Sequence, residues 1–179
     1  MPARVLVAYV SRYGSTQEVA EAVAQVLREA GCEAEASPIN AVGDVADYAA
    51  FVVGAPLYMF HWHRKARRFI ARHRRVLRER PTAVFAMGPL NDEPEEWQSA
   101  EEQFQKALLK YEWFSPVATT VFGGAFDPVK LTFPHTIIRP LTRMPASDIR
   151  DWNTIRGWAA DLVPVLTGRR CLLLSEETI

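Results

Sequence analysis

Small hydroxyl-bearing residues and a glycine follow the first apolar run of the sequence. The run Arg4 to Val10 leads into Ser11, Arg12, Tyr13, Gly14, Ser15 and Thr16, and an amphipathic stretch follows them. Backbone N–H groups at the start of a helix bind an anion such as a phosphate. The segment has neither the GxGxxG spacing of dinucleotide-binding folds nor the Gly-Lys-Ser/Thr of nucleoside triphosphate loops, so a monophosphate suits it better. The alternative is that Ser15 or Thr16 only caps the helix.

Three further segments follow predicted strands, at the carboxyl edge where open parallel sheets bind ligands. Gly54 to His63 concentrates apolar and aromatic residues in a predicted surface loop, and a planar aromatic ligand would explain them. The other two segments are Gly88 to Asp92 and Gly123 to Phe126. In the second of these, the paired glycines permit close backbone approach to a flat ring. The candidate ring contacts in these segments are Pro56, Leu57, Tyr58, Met59, Gly88, Pro89, Leu90, Asn91, Gly123 and Gly124.

The elements that would position these segments alternate between strand and helix patterns. Strands are predicted at 4–10, 33–38, 50–54, 82–87 and 117–122, and helices at 17–30, 64–78, 95–111 and 148–166, with a short helical turn at 41–48. Parallel strands need long right-handed crossovers, so the pattern predicts an α/β fold with a five-stranded parallel sheet. One domain spans residues 1–179. Residues 126–147 form an irregular segment, interpreted as a lid, a membrane contact or a dimer contact.

Composition excludes several classes of protein. The chain is 49% apolar and has 21 basic and 21 acidic residues, so it is not a disordered chain. Its two cysteines, Cys32 and Cys171, form neither a disulfide framework nor a metal-binding spacing, so we expect a cytoplasmic protein without a metal. No apolar stretch has the length of a membrane-spanning helix.

The neutral total conceals a polarised charge distribution. Nine basic residues and one acidic residue lie between Arg64 and Arg80, whereas six acidic residues and no basic ones lie between Asp92 and Glu102. The basic stretch is either a solvated helix face or a surface that contacts an anionic membrane, where each base contributes about 1 kcal/mol. Nucleic acid is not an expected partner, because no base-stacking motif or groove-entering module accompanies the charge.

The pattern Ser11-x-x-Gly14-x-Thr16 after a first strand resembles the phosphate loop of flavodoxins. Together with Gly54-Ala55, His61-x-His63, Gly123-Gly124 and Asp151-Trp152, it resembles the bacterial menaquinone-dependent protoporphyrinogen dehydrogenases over nearly the whole chain. This resemblance implies a flavodoxin-like three-layer α/β/α sandwich with strand order 2-1-3-4-5. It also implies an FMN cofactor, with Ser11, Gly14, Ser15 and Thr16 at the phosphate and Pro56, Leu57 and Tyr58 along the flavin.

The implied function is an FMN-dependent oxidoreductase of haem biosynthesis that passes electrons from an organic donor to a quinone. It would work in the cytoplasm or on the inner face of the cell membrane, and a homodimer is left open. His61 is the candidate catalytic residue because histidine titrates near neutral pH, although His61 and His63 are equally well interpreted as helix-entry residues. The alternative function is a flavodoxin-type electron carrier without a small-molecule substrate. Such carriers are typically acidic, and the neutral total counts against that alternative.

Overall fold

Short apolar runs separated by amphipathic helices build the molecule, of which the computed structural model describes residues 2–58, 61–130 and 145–168. The strands are β1 (Arg4–Tyr9), β2 (Glu33–Pro38), β3 (Ala50–Tyr58), β4 (His61–Trp62), β5 (Thr82–Met87), β6 (Ala118–Phe122), β7 (Ala125–Phe126) and β8 (Ser147–Asp148). The helices are α1 (Ser15–Glu29), α2 (Arg64–Arg72), α3 (Arg74–Glu79), α4 (Pro94–Leu108) and α5 (Trp152–Thr167), with a 3₁₀ turn at Pro128–Lys130.

The central sheet has the order β2-β1-β3-β5-β6, and each of these neighbours pairs in parallel. The five main strands therefore have the predicted order, and the α/β flavodoxin-like fold is confirmed. A short sixth strand, β4, pairs antiparallel with the end of β3. All these parallel strands have their carboxyl ends at one edge, where the predicted ligand segments also lie.

Alternate residues of the buried strands enter two separate cores, as a period of two residues requires. Val7 of β1 lies in the core that Leu27 of α1 and Leu162 of α5 share. The neighbouring Leu6 lies in the other core, together with Phe104 of α4. Because both faces of the sheet are covered in this way, the central strands are apolar throughout, and the three layers form an α/β/α sandwich.

Two predicted elements differ from the structure in the half of the chain that precedes β5. Residues 41–48 form no helix: they end in a turn in which the Tyr48 N–H donates to the Val45 carbonyl at 3.4 Å, and the Arg80 side chain donates to the carbonyls of Ala46 (2.6 Å) and Tyr48. The single helix predicted at 64–78 is two helices that meet at His73. The turn at His73 allows Leu77 of α3 to reach the core.

Two other boundaries were also wrong. β3 continues to Tyr58 rather than ending at Gly54, since its last residues pair with β4 as a hairpin. The segment 126–147 is not wholly irregular, because Phe126 of β7 pairs with Ser147 of β8. Residues 131–144 of that segment lie outside the described residues. In the part of the chain that is described, no helix is both long and apolar enough to cross a bilayer.

Candidate functional site

The β1–α1 loop has the geometry of an anion site. Gly14 occupies the N-cap of α1 with φ of 96°, a left-handed conformation that favours glycine, and its N–H donates to Ser11 Oγ at 3.1 Å. No side chain caps the helix, so capping by Ser15 or Thr16 is excluded. The first amides of a helix have no acceptor within it, and here they face the loop that was predicted to hold a phosphate.

The end of β3 forms a strand and hairpin rather than the predicted surface loop. Pro56 is buried, and its carbonyl accepts a hydrogen bond from the His63 N–H at 3.1 Å. Trp62 is fully buried, with its Nε1 donating to the Ala55 carbonyl at 3.2 Å. Several apolar residues of this segment are thus explained by the core. Leu57 is half-buried, whereas Met59 lies outside the described residues.

Tyr58 is the aromatic residue that this hairpin presents at the carboxyl edge, with 42% of its surface exposed. Its ring contacts the ring of His63 at 5.8 Å between centroids. Burial raises the pKa of the Tyr58 phenol, Tyr13 adds to that increase, and the guanidinium of Arg12 opposes it. The phosphate loop and the end of β3 therefore lie beside each other.

The two histidines of the His-x-His pattern have different environments. His63 is the N-cap of α2, and its Nδ1 accepts the Lys65 N–H at 3.1 Å. Burial lowers the pKa of His63, and the nearby cations of Lys65 and Arg12 lower it further, so its imidazole is neutral at pH 7. His63 is thus a helix-entry residue. His61 is exposed on β4, and its catalytic role remains a prediction.

The third loop, Gly88 to Asp92, and the fourth loop, Gly123 to Phe126, are joined to each other through their backbones. The Gly88 N–H donates to the Phe122 carbonyl at 2.9 Å, and the Gly124 N–H donates to the Pro89 carbonyl at 2.6 Å. A Cβ atom on Gly123 would lie 2.2 Å from the carbonyl oxygen of Ile149. Chain packing therefore already requires a glycine at this position, and that reason differs from the predicted approach to a flat ring.

Glu96 organises the third loop, although the sequence patterns did not single it out. Its carboxylate accepts hydrogen bonds from the Leu90 and Asn91 amides, both at 3.3 Å, and from Asn91 Nδ2 at 2.8 Å. The Asn91 side chain is the main reason that the pKa of Glu96 is lowered. An acidic residue in the first turn of α4, shortly after a candidate loop, was the available signal.

Arg150 connects the β7–β8 hairpin to the β1–α1 loop and the start of α1, and the sequence patterns did not identify this residue either. Its guanidinium binds Asp148 through Nη2 (2.6 Å) and Nε (2.8 Å), and Glu18 through Nη1 (2.7 Å). Nη1 also lies 3.4 Å from the Ser15 carbonyl. The last helix begins at Trp152 with Asp151 as its N-cap, so Asp148, where the predicted helix began, precedes it.

A cavity of about 300 Å³ lies between the first loop and this hairpin. It is lined on one side by Tyr13 and Ser15 and on the other by Phe126, Lys130 and Arg150, and three carboxylates, Glu18, Asp127 and Asp148, complete its lining. Because Arg150 is already paired with Glu18 and Asp148, the groups that suit a phosphate here are the unpaired amides at the start of α1 and the Lys130 side chain. Tyr58 offers an aromatic surface at the same edge. The residues therefore fit a cofactor that joins a phosphate to an aromatic ring.

The predicted contacts are brought to this edge in three groups. Ser11, Arg12, Tyr13, Gly14, Ser15 and Thr16 form the first loop, Pro56, Leu57 and Tyr58 end β3, and Gly88, Pro89, Leu90, Asn91, Gly123 and Gly124 follow β5 and β6. Contact of each with a bound cofactor remains a prediction. No group of three His, Cys, Asp or Glu side chains within the described ranges has the arrangement of a metal site.

Comparisons with known proteins agree with this geometry. A family model described as "Flavodoxin domain" matches residues 6–148. Protoporphyrinogen IX dehydrogenase [quinone] of Escherichia coli strain K12 is 22% identical over 170 residues, which cover 89% of this chain and 94% of that protein.

Solved structures share the fold at low identity. Oxidised flavodoxin 1 from Bacillus cereus has a TM-score of 0.59 and 16% identity, covering 92% of this chain and 100% of its own. Rubredoxin oxygen:oxidoreductase from Desulfovibrio gigas has a TM-score of 0.57 and 16% identity, and this chain spans only 37% of its length. With a family model matching most of the chain, the protein belongs to the flavodoxin family, whose cofactor is FMN.

Proposed function

We propose that the chain is an FMN-dependent oxidoreductase that takes electrons from an organic donor and passes them to a quinone. The observation that carries this proposal is the nearly end-to-end match to a quinone-coupled protoporphyrinogen dehydrogenase. A redox role follows from the flavodoxin family and this oxidoreductase relative. The donor and the acceptor are part of the proposal.

The residues of the carboxyl edge would bind and orient the cofactor. Ser11 holds the Gly14 amide in the conformation that exposes the first turn of α1, and these amides would bind the phosphate. Tyr58 would lie along the flavin, with the backbone of the third loop on another side. When bound, FMN supplies a ring that accepts and releases electrons. The chain's own contribution is position and electrostatics.

His61 is the side chain that we propose for proton transfer at the donor. It is exposed on β4, at the same hairpin as Tyr58, and histidine is the side chain that most often transfers protons in enzymes. A His61→Gln variant should lower the rate of donor oxidation by roughly 10²-fold, while flavin reduction by dithionite is unaffected. An unchanged rate would remove His61 from the mechanism.

We further propose that the α2–α3 face rests on an anionic membrane, where a lipid-soluble quinone is available. Seven of the nine basic residues between 64 and 80 are exposed: Arg64, Lys65, Arg68, Arg72, Arg74, Arg75 and Arg78. Arg80 does not belong to this surface, since backbone carbonyls hold its guanidinium. Replacing Arg68, Arg72 and Arg75 with Gln should weaken salt-sensitive binding to phosphatidylglycerol vesicles, by about 1 kcal/mol per residue. Equal binding to phosphatidylcholine vesicles would refute this contact.

The central experiment follows the flavin absorbance during turnover. Purified protein should bind FMN stoichiometrically and, after anaerobic reduction, should be reoxidised rapidly by a soluble menaquinone analogue. Adding protoporphyrinogen should then sustain quinone-dependent turnover. FMN binding with electron exchange only to protein partners would support the electron-carrier alternative, and failure to bind FMN would reject both redox functions.

A further inference from the structure

A groove separates α2 and β4 from the C-terminal half of α4, and it has a volume of about 490 Å³. Its base is apolar, because the buried Trp62 and Ala107 line it. Leu109 lies at its margin with 75% of its surface exposed, which is unusual for a large aliphatic side chain. This volume lies within the range of roughly 300–1,000 Å³ that small-molecule sites occupy.

Three cationic side chains, Arg67, Lys106 and Lys110, line the same groove, and none of the described residues that line it is acidic. Lys106 has a partner in Glu102 at 3.8 Å, but both side chains are largely exposed and the pair is weak. Arg67 and Lys110 form no ion pair within the described part of the chain. The groove is therefore positively charged above an apolar base.

Arg67 is the partly buried cation of this groove. Its Nε is buried and, among the described residues, has no hydrogen-bond partner, so a ligand in the groove would have to bind the Nη atoms of the guanidinium. A carboxylate is the group that matches two guanidinium N–H groups with parallel hydrogen bonds.

We propose that this groove binds a small organic carboxylate with an apolar body. The carboxylate would pair with Arg67 and be attracted by Lys110, while the apolar body would cover Trp62 and Leu109. His61, the residue proposed for proton transfer, also lines the groove, whereas none of the predicted FMN contacts does, so carboxylate binding can be measured without redox turnover. A peptide is less suitable, since the cations and the exposed leucine lie within one small cavity.

The test uses a charged probe and an uncharged probe of the same shape. Isothermal titration of the FMN-loaded protein with 1-naphthylacetate should give saturable binding, and 1-naphthylacetamide should bind at least about tenfold more weakly. Arg67→Gln should weaken naphthylacetate binding roughly tenfold, and Lys110→Gln several-fold. Arg68→Gln is the matched control, because this exposed residue lies on the same helix outside the groove, and its affinity should be unchanged.

Leu109→Ser should weaken both probes, since it removes apolar contact without changing charge. Flavin absorbance and the melting temperature of each variant establish that the fold and FMN binding are retained. No saturable binding at millimolar concentration, equal affinities for the two probes, or an equal loss with Arg68→Gln would each overturn the proposal. Failure of FMN to bind would instead overturn the proposed function. It would leave the groove proposal standing, because the titration measures probe binding to the groove and not redox activity.

Discussion

Replacement of Arg150 by Gln should destabilise the protein by uncoupling the β7–β8 hairpin from α1. The Arg150 side chain is only 9% exposed, and it bridges Asp148 and Glu18 with three hydrogen bonds of 2.6–2.8 Å. Its guanidinium also lies 4.8 Å from the centre of the Trp152 ring. A Gln side chain is shorter and uncharged, so it cannot bind both carboxylates.

The size of the effect follows from the exposure of the partners. An exposed ion pair contributes about 0.5 kcal/mol, whereas removing one partner from a buried pair costs about 3–5 kcal/mol. Glu18 and Asp148 are 49% and 51% exposed, so water can replace part of what each loses. We therefore expect a loss of about 2 kcal/mol in the free energy of unfolding. For a chain of this length, that lowers Tm by roughly 4–8 °C.

Urea unfolding followed by circular dichroism measures this loss, with FMN removed because a ligand of the native state adds its own free energy. Arg156→Gln is the matched control, since Arg156 is an exposed residue of α5 and should change stability by less than about 0.5 kcal/mol. Equal losses in the Arg150 and Arg156 variants would refute the role of this bridge.

The same bridge has a signature in acid. Arg150 holds the pKa of Asp148 below its ordinary value of 3.8. This depressed pKa contributes stability above pH 3.8 that is lost as the pH falls through the folded-state value. The stability difference between the wild type and Arg150→Gln should therefore narrow as the pH falls below 3.8. A constant difference would mean that Arg150 acts through packing alone.

Three other changes test the loops and the core. Gly14→Ala should reduce FMN affinity, because a left-handed φ costs an alanine about 1–2 kcal/mol, whereas Gly43→Ala, in open space, should not; fluorescence titration of FMN compares them. His63→Asn keeps a good N-cap but removes an imidazole whose pKa is lowered in the folded protein. In the wild type this lowered pKa reduces the free energy of unfolding as the pH falls below 6.5, so the urea midpoint of the variant should depend less on pH in that range. Phe104→Ala removes a buried ring 5.2 Å from the centroid of the Trp62 ring and should cost about 3–5 kcal/mol in urea unfolding; a loss below 1 kcal/mol would contradict the packing described.

The elements that could be predicted from sequence are those with a local cause. Thr82–Met87 is buried at every position, and a continuous apolar run of this length is typical of a strand covered on both faces. The loop from Ser11 to Thr16 was predicted from residue types that need only the following helix to bind an anion. The alternation of strands and helices predicted the parallel sheet, whereas its strand order was implied by the resemblance to flavodoxins.

The parts that were missed depend on partners far along the chain. Arg80 was counted only as one base of a charged stretch, yet it binds carbonyls 32 to 35 residues earlier, in the segment predicted as a helical turn. Arg150 binds Glu18 across 132 residues. A charged side chain carries no local sign of which distant group it will meet, so neither contact could be inferred from spacing. The extended β3 was missed because its apolar residues fit a ligand loop and a hairpin equally well.

These distant contacts join the loops of the carboxyl edge into one connected structure. Gly124 links the third loop to the fourth through Pro89 and the fourth to the hairpin through Ile149, and Arg150 continues the connection to the Ser15 carbonyl in the first turn of α1. A loop that is held by its neighbours loses less conformational entropy when a ligand binds. The site is thus organised by protein contacts before a cofactor arrives. A substitution at the hairpin, remote from any predicted ring contact, should for this reason affect the phosphate loop.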